Sequence, residues 1–266
     1  MTLHKNLTGD IAFIAKDLYY KLKLTEDAGR AFRYGRWPKK IKAVQEAACF
    51  DYKAPITLIQ QLISSRNEVL RMEAQIALIR LDDSPDALSF LKFYKYTLSE
   101  YEYIHIINAI EHENQNINLE PLFESSNDTV VIFALRLSGH LGQVNNYDRI
   151  IELLRHGSPR IREASIFALG QLSLPQSVEP LMNFYQIETY QNKINILKVI
   201  QRLPIQSCQP WLIKTIKEEH DYAIRLAALK ALQNTNRTGE DIIKISFVEA
   251  DDELRSLIRH VNDKRI

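Results

Sequence analysis

Arg162-Glu163-Ala164-Ser165-Ile166-Phe167-Ala168-Leu169-Gly170-Gln171-Leu172 is the stretch from which the rest of the chain can be read. With Arg162 counted as phase zero, phases 3, 6, 7 and 10 are Ser165, Ala168, Leu169 and Leu172. They lie on one stripe of a helix, and small residues on that stripe let a neighbouring helix approach closely. A step back of 31 residues gives Val131 followed by Ala134, Leu137, Ser138 and Leu141, and a step forward of 31 gives Lys193 followed by Ile196, Val199, Ile200 and Leu203. The pattern survives both steps, so the chain repeats.

Further phase-zero residues are Arg71, Glu100, Arg225 and Arg255, with Lys40 as a weaker first member. The intervals from 40 to 255 run 31, 29, 31, 31, 31, 32 and 30. A second apolar segment fits between these helices, as in Val178-Glu179-Pro180-Leu181 and Cys208-Gln209-Pro210-Trp211. His156-Gly157-Ser158-Pro159 separates the two with a C-terminal cap, an N-cap and a proline suited to a first helical turn. Each repeat therefore reads as helix, turn, helix. A unit so short cannot bury its helices alone, so neighbours must stack. The expected fold is all-α, an α-solenoid of seven to eight such repeats over 37–266, one continuous structural unit, with residues 1–36 as an off-phase N-terminal helical cap.

Composition agrees. At an ordinary glycine share of about 7% the 266 residues would hold about 19 glycines, and only 8 occur, which disfavours turn-rich β folds and glycine-rich phosphate loops. Lys+Arg 34 against Asp+Glu 33 gives a net charge of +1, so no global field draws the chain to nucleic acid or to an anionic membrane. Cys49 and Cys208 are too few and too far apart for a structural zinc site or a disulfide framework. No apolar run reaches the length of a membrane span, and no signal peptide is evident. The expectation is a cytoplasmic, reduced-compartment protein without metal or cofactor.

Ile161 to Leu172 followed by Val178-Glu179-Pro180-Leu181 resembles HEAT repeats of the short, phycobilisome-lyase-like type, over roughly residues 38 to 264. That resemblance implies the fold and says little about activity, since such repeats serve scaffolds, adaptors, transport receptors and a few enzymes. Arg71 to Leu78 and Asn127 to Leu135 also look like a bacterial group of HEAT proteins whose members often carry an N-terminal membrane helix. No such helix stands here, so the resemblance implies either a member without it or a soluble piece, at the cytoplasmic face of a membrane in the second case.

Three enzymatic groups share this kind of repeat, and the residues of this chain depart from each. Deoxyhypusine hydroxylases are similar arrays that hold a di-iron site with several His-Glu pairs, and this chain has one, His112-Glu113. Bilin lyases share the repeat as their scaffold rather than their chemistry. HEAT-like DNA glycosylases need a basic groove with Trp and an acidic residue, and Trp37 and Trp211 fall in a cap-like segment and at a core phase. No nucleophile is nominated. The expectation is therefore a chain that is not an enzyme.

The outward phases carry the functional expectation. Phases 5 and 9 lie four apart on one stripe. Down the array they include Arg80, His105, Arg136, His140, Lys198, Arg202, Lys230 and Lys264, with Phe167 and Gln171 between them and no acidic residue. Ordinary usage would place charges of both signs there. The resemblance implies that these second helices line the concave face. The expected function is a scaffold that receives a protein with an acidic or phosphorylated segment on this stripe. Nucleic-acid or polyanion binding is the alternative, and oligomeric state is left open. A cluster at Tyr94, Tyr96 and Tyr101 is a candidate aromatic interface. The phase-zero arginines, four residues after Asn67, Ser158 or Asp221, are expected to meet those caps as a structural ladder.

Overall fold

The computed structural model describes residues 10–113, 116–203, 205–235 and 252–262, and these form helices and the turns between them. In chain order the helices are α1 Asp10–Lys21, α2 Leu24–Tyr34, α3 Trp37–Cys49, α4 Ile56–Leu62, α5 Glu68–Leu81, α6 Glu100–Glu113, α7 Glu120–Phe123 and α8 Asp128–His140. There follow α9 Tyr147–Leu153, α10 Pro159–Leu172, α11 Val178–Phe184, α12 Tyr190–Arg202, α13 Gln209–Glu218, α14 Tyr222–Asn234 and α15 Asp252–Asn262. Short first helices alternate with longer second helices, and before α6 the first helix shrinks to a 3-10 turn at Ser89–Phe93.

The chain divides into two compact units, Met1–Phe133 and Ala134–Ile266. In the first, α2 packs on α3 and α4 on α5, while α3, α5 and α6 lie side by side. In the second, α9 packs on α10 and α13 on α14, while α10, α12, α14 and α15 follow one another. Pairs stacked second helix on second helix are the arrangement of an α-solenoid. Within 1–36, α2 takes the first-helix place in the first pair. α1 precedes these pairs, with Tyr19 stacked on Phe50 at 4.3 Å and Lys16 bonded to Asp51 at 2.8 Å.

Burial follows the repeat phases. Ala74, Ala77, Leu78 and Leu81 in α5, Ser165, Ala168, Leu169 and Leu172 in α10, and Ile196, Val199, Ile200 and Leu203 across α12 are all buried. Each fully buried leucine or isoleucine contributes roughly 2 kcal/mol of transfer free energy. The helices come close where the chain is small. A Cβ on Gly170 would sit 2.8 Å from a Val199 methyl, and one on Gly139 would sit 3.0 Å from the Ala168 Cα.

Two repeats depart from the expected register. In α6 the buried residues are Glu102, Ile106, Ala109 and Ile110, and Ile104 is 54% exposed at a phase that is buried in α5, α8, α10, α12 and α14. Phase zero is therefore Ser99 rather than Glu100. The cause is a polar core residue: Glu102 accepts from the Ser99 backbone N–H at 2.9 Å, the Ser99 hydroxyl at 3.0 Å and the Tyr94 hydroxyl at 2.8 Å. In α15, Leu254 and Leu257 are buried with Ile258 and Val261 half-buried, which sets phase zero at 251 instead of 255.

The arginine ladder exists with different partners. Arg162 Nη1 donates to the carbonyls of His156 and Gly157 at 3.0 and 3.2 Å, and Arg71 Nη1 donates to those of Ser65 and Arg66 at 3.0 and 3.2 Å. Both therefore clamp the turn between the two helices of their own repeat. The cap side chains serve the helix instead: Asn67 accepts from the Leu70 N–H and Asp221 from the N–H groups of Ala223 and Ile224. Ser158 makes no side-chain cap bond. The same basic residues also reach the next repeat. Arg162 Nε donates to Glu188 at 2.7 Å and Lys193 Nζ to Glu219 at 3.0 Å, each 26 residues on.

Two pairs of substitutions check this account. Replacing Arg162 by Ala leaves the Glu188 carboxylate buried without its cation, and urea unfolding is expected to show a loss of about 3 kcal/mol. Arg149→Ala, which removes a half-buried arginine from a pair with the exposed Glu152, is expected to cost less than about 1 kcal/mol. Gly139→Val, against the Ala168 backbone, is expected to cost about 2 kcal/mol. Gly157→Ala has nothing within 4 Å of the added carbon and is expected to change stability by less than about 0.5 kcal/mol.

Candidate functional site on the second helices

The turn clamps hold α5 and α10 at a fixed rotation, and the rotation of each second helix decides which side chains face outward. In the unit Ala134–Ile266, phases 5 and 9 fall on the accessible side of α10, α12 and α14. Phe167 is 47% exposed, Gln171, Lys198, Arg202 and Asn234 are exposed, and Lys230 is half-buried. On the same phases of α8, Arg136 is half-buried and His140 exposed. On α15, His260 is half-buried. Lys264 lies outside the described residues, as do His4 and the side chains of His112 and Glu113.

Between α12 and α14 the row opens into a groove of about 660 Å³ lined by Lys198, Gln201, Arg202 and Asn234. The Asn234 amide donates to the Gln201 carbonyl at 3.4 Å, which ties the groove walls together. Lys198, Arg202 and Lys230 form no ion pair among the described residues. The nearby carboxylates are engaged elsewhere: Glu188 by Arg162, Glu219 by Lys193 and the Tyr185 hydroxyl, and Glu163 by the Asn195 amide at 3.4 Å. The acidic side chains thus serve the repeat junctions and leave the row its positive charge.

In the unit Met1–Phe133 the corresponding positions are mixed. Arg80 is half-buried, with a buried Nε that has no hydrogen-bond partner. Gln45 donates to Glu73 at 2.9 Å, and Ile76 is half-buried. The shifted register of α6 puts Ile104 and Asn108 on the outward row. His105 turns aside against the Tyr101 ring at 4.3 Å, and Ala109 is buried at 1% exposure. Sequence reading missed Ile104 and Asn108 because it placed Glu102 outside the core.

The three tyrosines separate. Tyr94 is 4% exposed, donates to Glu102 and accepts from Arg71 Nε at 3.2 Å, and burial pushes its phenol up to about 12. Tyr96 lies under the Arg71 guanidinium at 4.0 Å and donates to the Ser64 carbonyl at 3.1 Å. Both stabilise the repeat junction, whereas Tyr101 is 58% exposed. Among the described residues no group of three or more His, Cys, Asp or Glu side chains could hold a metal ion, and no helix is long and apolar enough to cross a membrane.

The model of the PBS lyase HEAT-like repeat matches residues 161–186, which span α10, the following turn and α11. Among curated proteins none matches the chain in sequence. Among solved structures, the complex of CpcE and CpcF of phycocyanin lyase from Nostoc sp. PCC7120 is similar at 13% identity with a TM-score of 0.32, over 97% of this chain and 92% of that one. An engineered protein is similar at 12% identity with a TM-score of 0.26, over 89% and 94%. At these TM-scores neither likeness bears on function.

The repeat model does correct one expectation: the chain carries the repeat named for a lyase, so the reading of it as no enzyme does not stand. Residues 161–186 thus match a HEAT-like repeat, and the other paired helices, with their buried stripe, share its helix-turn-helix arrangement.

Proposed function

We propose that the chain is a protein-binding scaffold or adaptor whose second helices, in the unit Ala134–Ile266, receive an acidic protein segment. The observation that carries this reading is the outward row itself. Its cations Lys198, Arg202 and Lys230 have no ion-pair partner among the described residues, while neighbouring carboxylates are bound at the repeat junctions. A complementary chain would supply the missing negative charge and speed encounter at low salt. Phe167, exposed on the same row, offers an apolar anchor of the type that concentrates binding energy. Arg136 and His140 extend the row on α8.

A second reading, a lyase-type activity on the bound partner, draws its support from the repeat model matched at 161–186. Both readings place a partner on the chain, and one experiment separates them. Affinity capture from native lysate, after nuclease treatment, compares wild type with Arg136→Glu/Lys198→Glu by mass spectrometry. The scaffold reading expects a protein retained by wild type and depleted at least tenfold by the double variant. A mass change on the retained protein that depends on this chain would favour the lyase. Capture unaffected by the charge reversal, or abolished by nuclease, would remove the row as a protein-binding surface.

A further inference from the structure

We infer that the groove between α12 and α14 binds a phosphorylated side chain, and that the partner carries an apolar residue about three positions away. The inference rests on the reading of the row as a site for an acidic protein segment, and it names the chemistry of that segment. Lys198 and Arg202 are four residues apart on α12 and point outward, and Lys230 and Asn234 stand at the same phases on α14. Both helices contribute to one groove of about 660 Å³.

A single carboxylate is satisfied by one guanidinium in a two-bond fork, which would leave Lys198 in the groove without a counter-charge. A phosphomonoester carries about −1.5 to −2 charges at neutral pH and three strong acceptor oxygens, which matches the two cations, Lys198 and Arg202, that line the groove. Arg202 supplies the planar fork and Lys198 a point charge.

Phe167 sets the second requirement. It holds on α10 the phase that Lys198 holds on α12, and α10 and α12 are packed neighbours. Packed helices lie roughly 8–10 Å apart, and an extended chain advances about 3.3 Å per residue. A segment crossing the second helices therefore meets Phe167 and Lys198, on the near wall of the groove, about three residues apart. The phosphate gives charge, and the Phe167 contact gives direction and register.

Fluorescence anisotropy with labelled nine-residue peptides tests this on the full chain. One probe set carries phosphoserine with leucine three residues before or after it; the others carry serine or glutamate in place of phosphoserine, or glycine in place of leucine. Expected is at least tenfold tighter binding of a phosphoserine–leucine peptide than of the serine and glutamate forms, lost in Lys198→Glu/Arg202→Glu. Phe167→Ala is expected to remove the preference for leucine over glycine while keeping that for phosphate. The replaced side chains are outward-facing, and circular dichroism checks that the variants stay folded. Equal binding of glutamate and phosphoserine peptides overturns the phosphate inference and leaves the acidic-segment reading standing. Binding of no acidic peptide, or binding unchanged by the charge reversal, overturns both. Tighter binding of an oligothymidylate than of any peptide assigns the groove to nucleic acid and overturns the inference.

Discussion

Two guanidiniums, Arg71 and Arg162, each fixed from two sides, set the geometry of their repeats. Arg162 holds the carbonyls of the turn behind it and the buried carboxylate of Glu188 in the next repeat. Arg71 holds the equivalent turn and reaches Glu102 through the Tyr94 hydroxyl. A buried ion contributes little net stability by itself, but once desolvated it tolerates few alternative positions. It therefore acts on register. Apolar stripes of alanine, leucine and isoleucine would pack at several small rotations, and the clamp selects one.

The selected rotation has a consequence on the opposite side of each second helix. With phases 3, 6, 7 and 10 inside, phases 5 and 9 point out, and side-chain identity there is free of the core. In the unit Ala134–Ile266 those positions carry Lys198, Arg202 and Lys230 beside Phe167. In the unit Met1–Phe133 they carry Ile76, Arg80, Ile104 and Asn108. The charge is thus concentrated on the second unit although the chain as a whole is nearly neutral. That concentration gives a binding face its selectivity.

Much of this was legible in the sequence, for a physical reason: a helix packed on both sides needs small or apolar residues at fixed phases, and 31-residue steps expose them. Ala168, Leu169 and Leu172 could be placed from their spacing alone. The register of α6 could not, because Glu102 is polar at a core phase and is satisfied by Tyr94, eight residues away, and by Ser99. Tyr94 was misjudged for the same cause, since a buried tyrosine with a distant partner looks like an exposed one. The true partners of the phase-zero arginines were hidden too, because backbone carbonyls leave no trace in residue identity. The basic row was legible as a pattern. That Lys198, Arg202 and Lys230 form no ion pair among the described residues is not legible there, because it depends on Glu163, Glu188 and Glu219 being bound elsewhere.

Lysine footprinting most directly tests the claim that the outward row of the second helices is the surface a partner covers. The purified chain is acetylated briefly, alone and in nuclease-treated native lysate, and modification at Lys198 and Lys230 is compared with that at Lys214, an exposed lysine on the first helix α13. The account expects Lys198 and Lys230 to be protected severalfold in lysate while Lys214 is modified at its usual rate. Protection of Lys214 with Lys198 and Lys230 still reactive would contradict it.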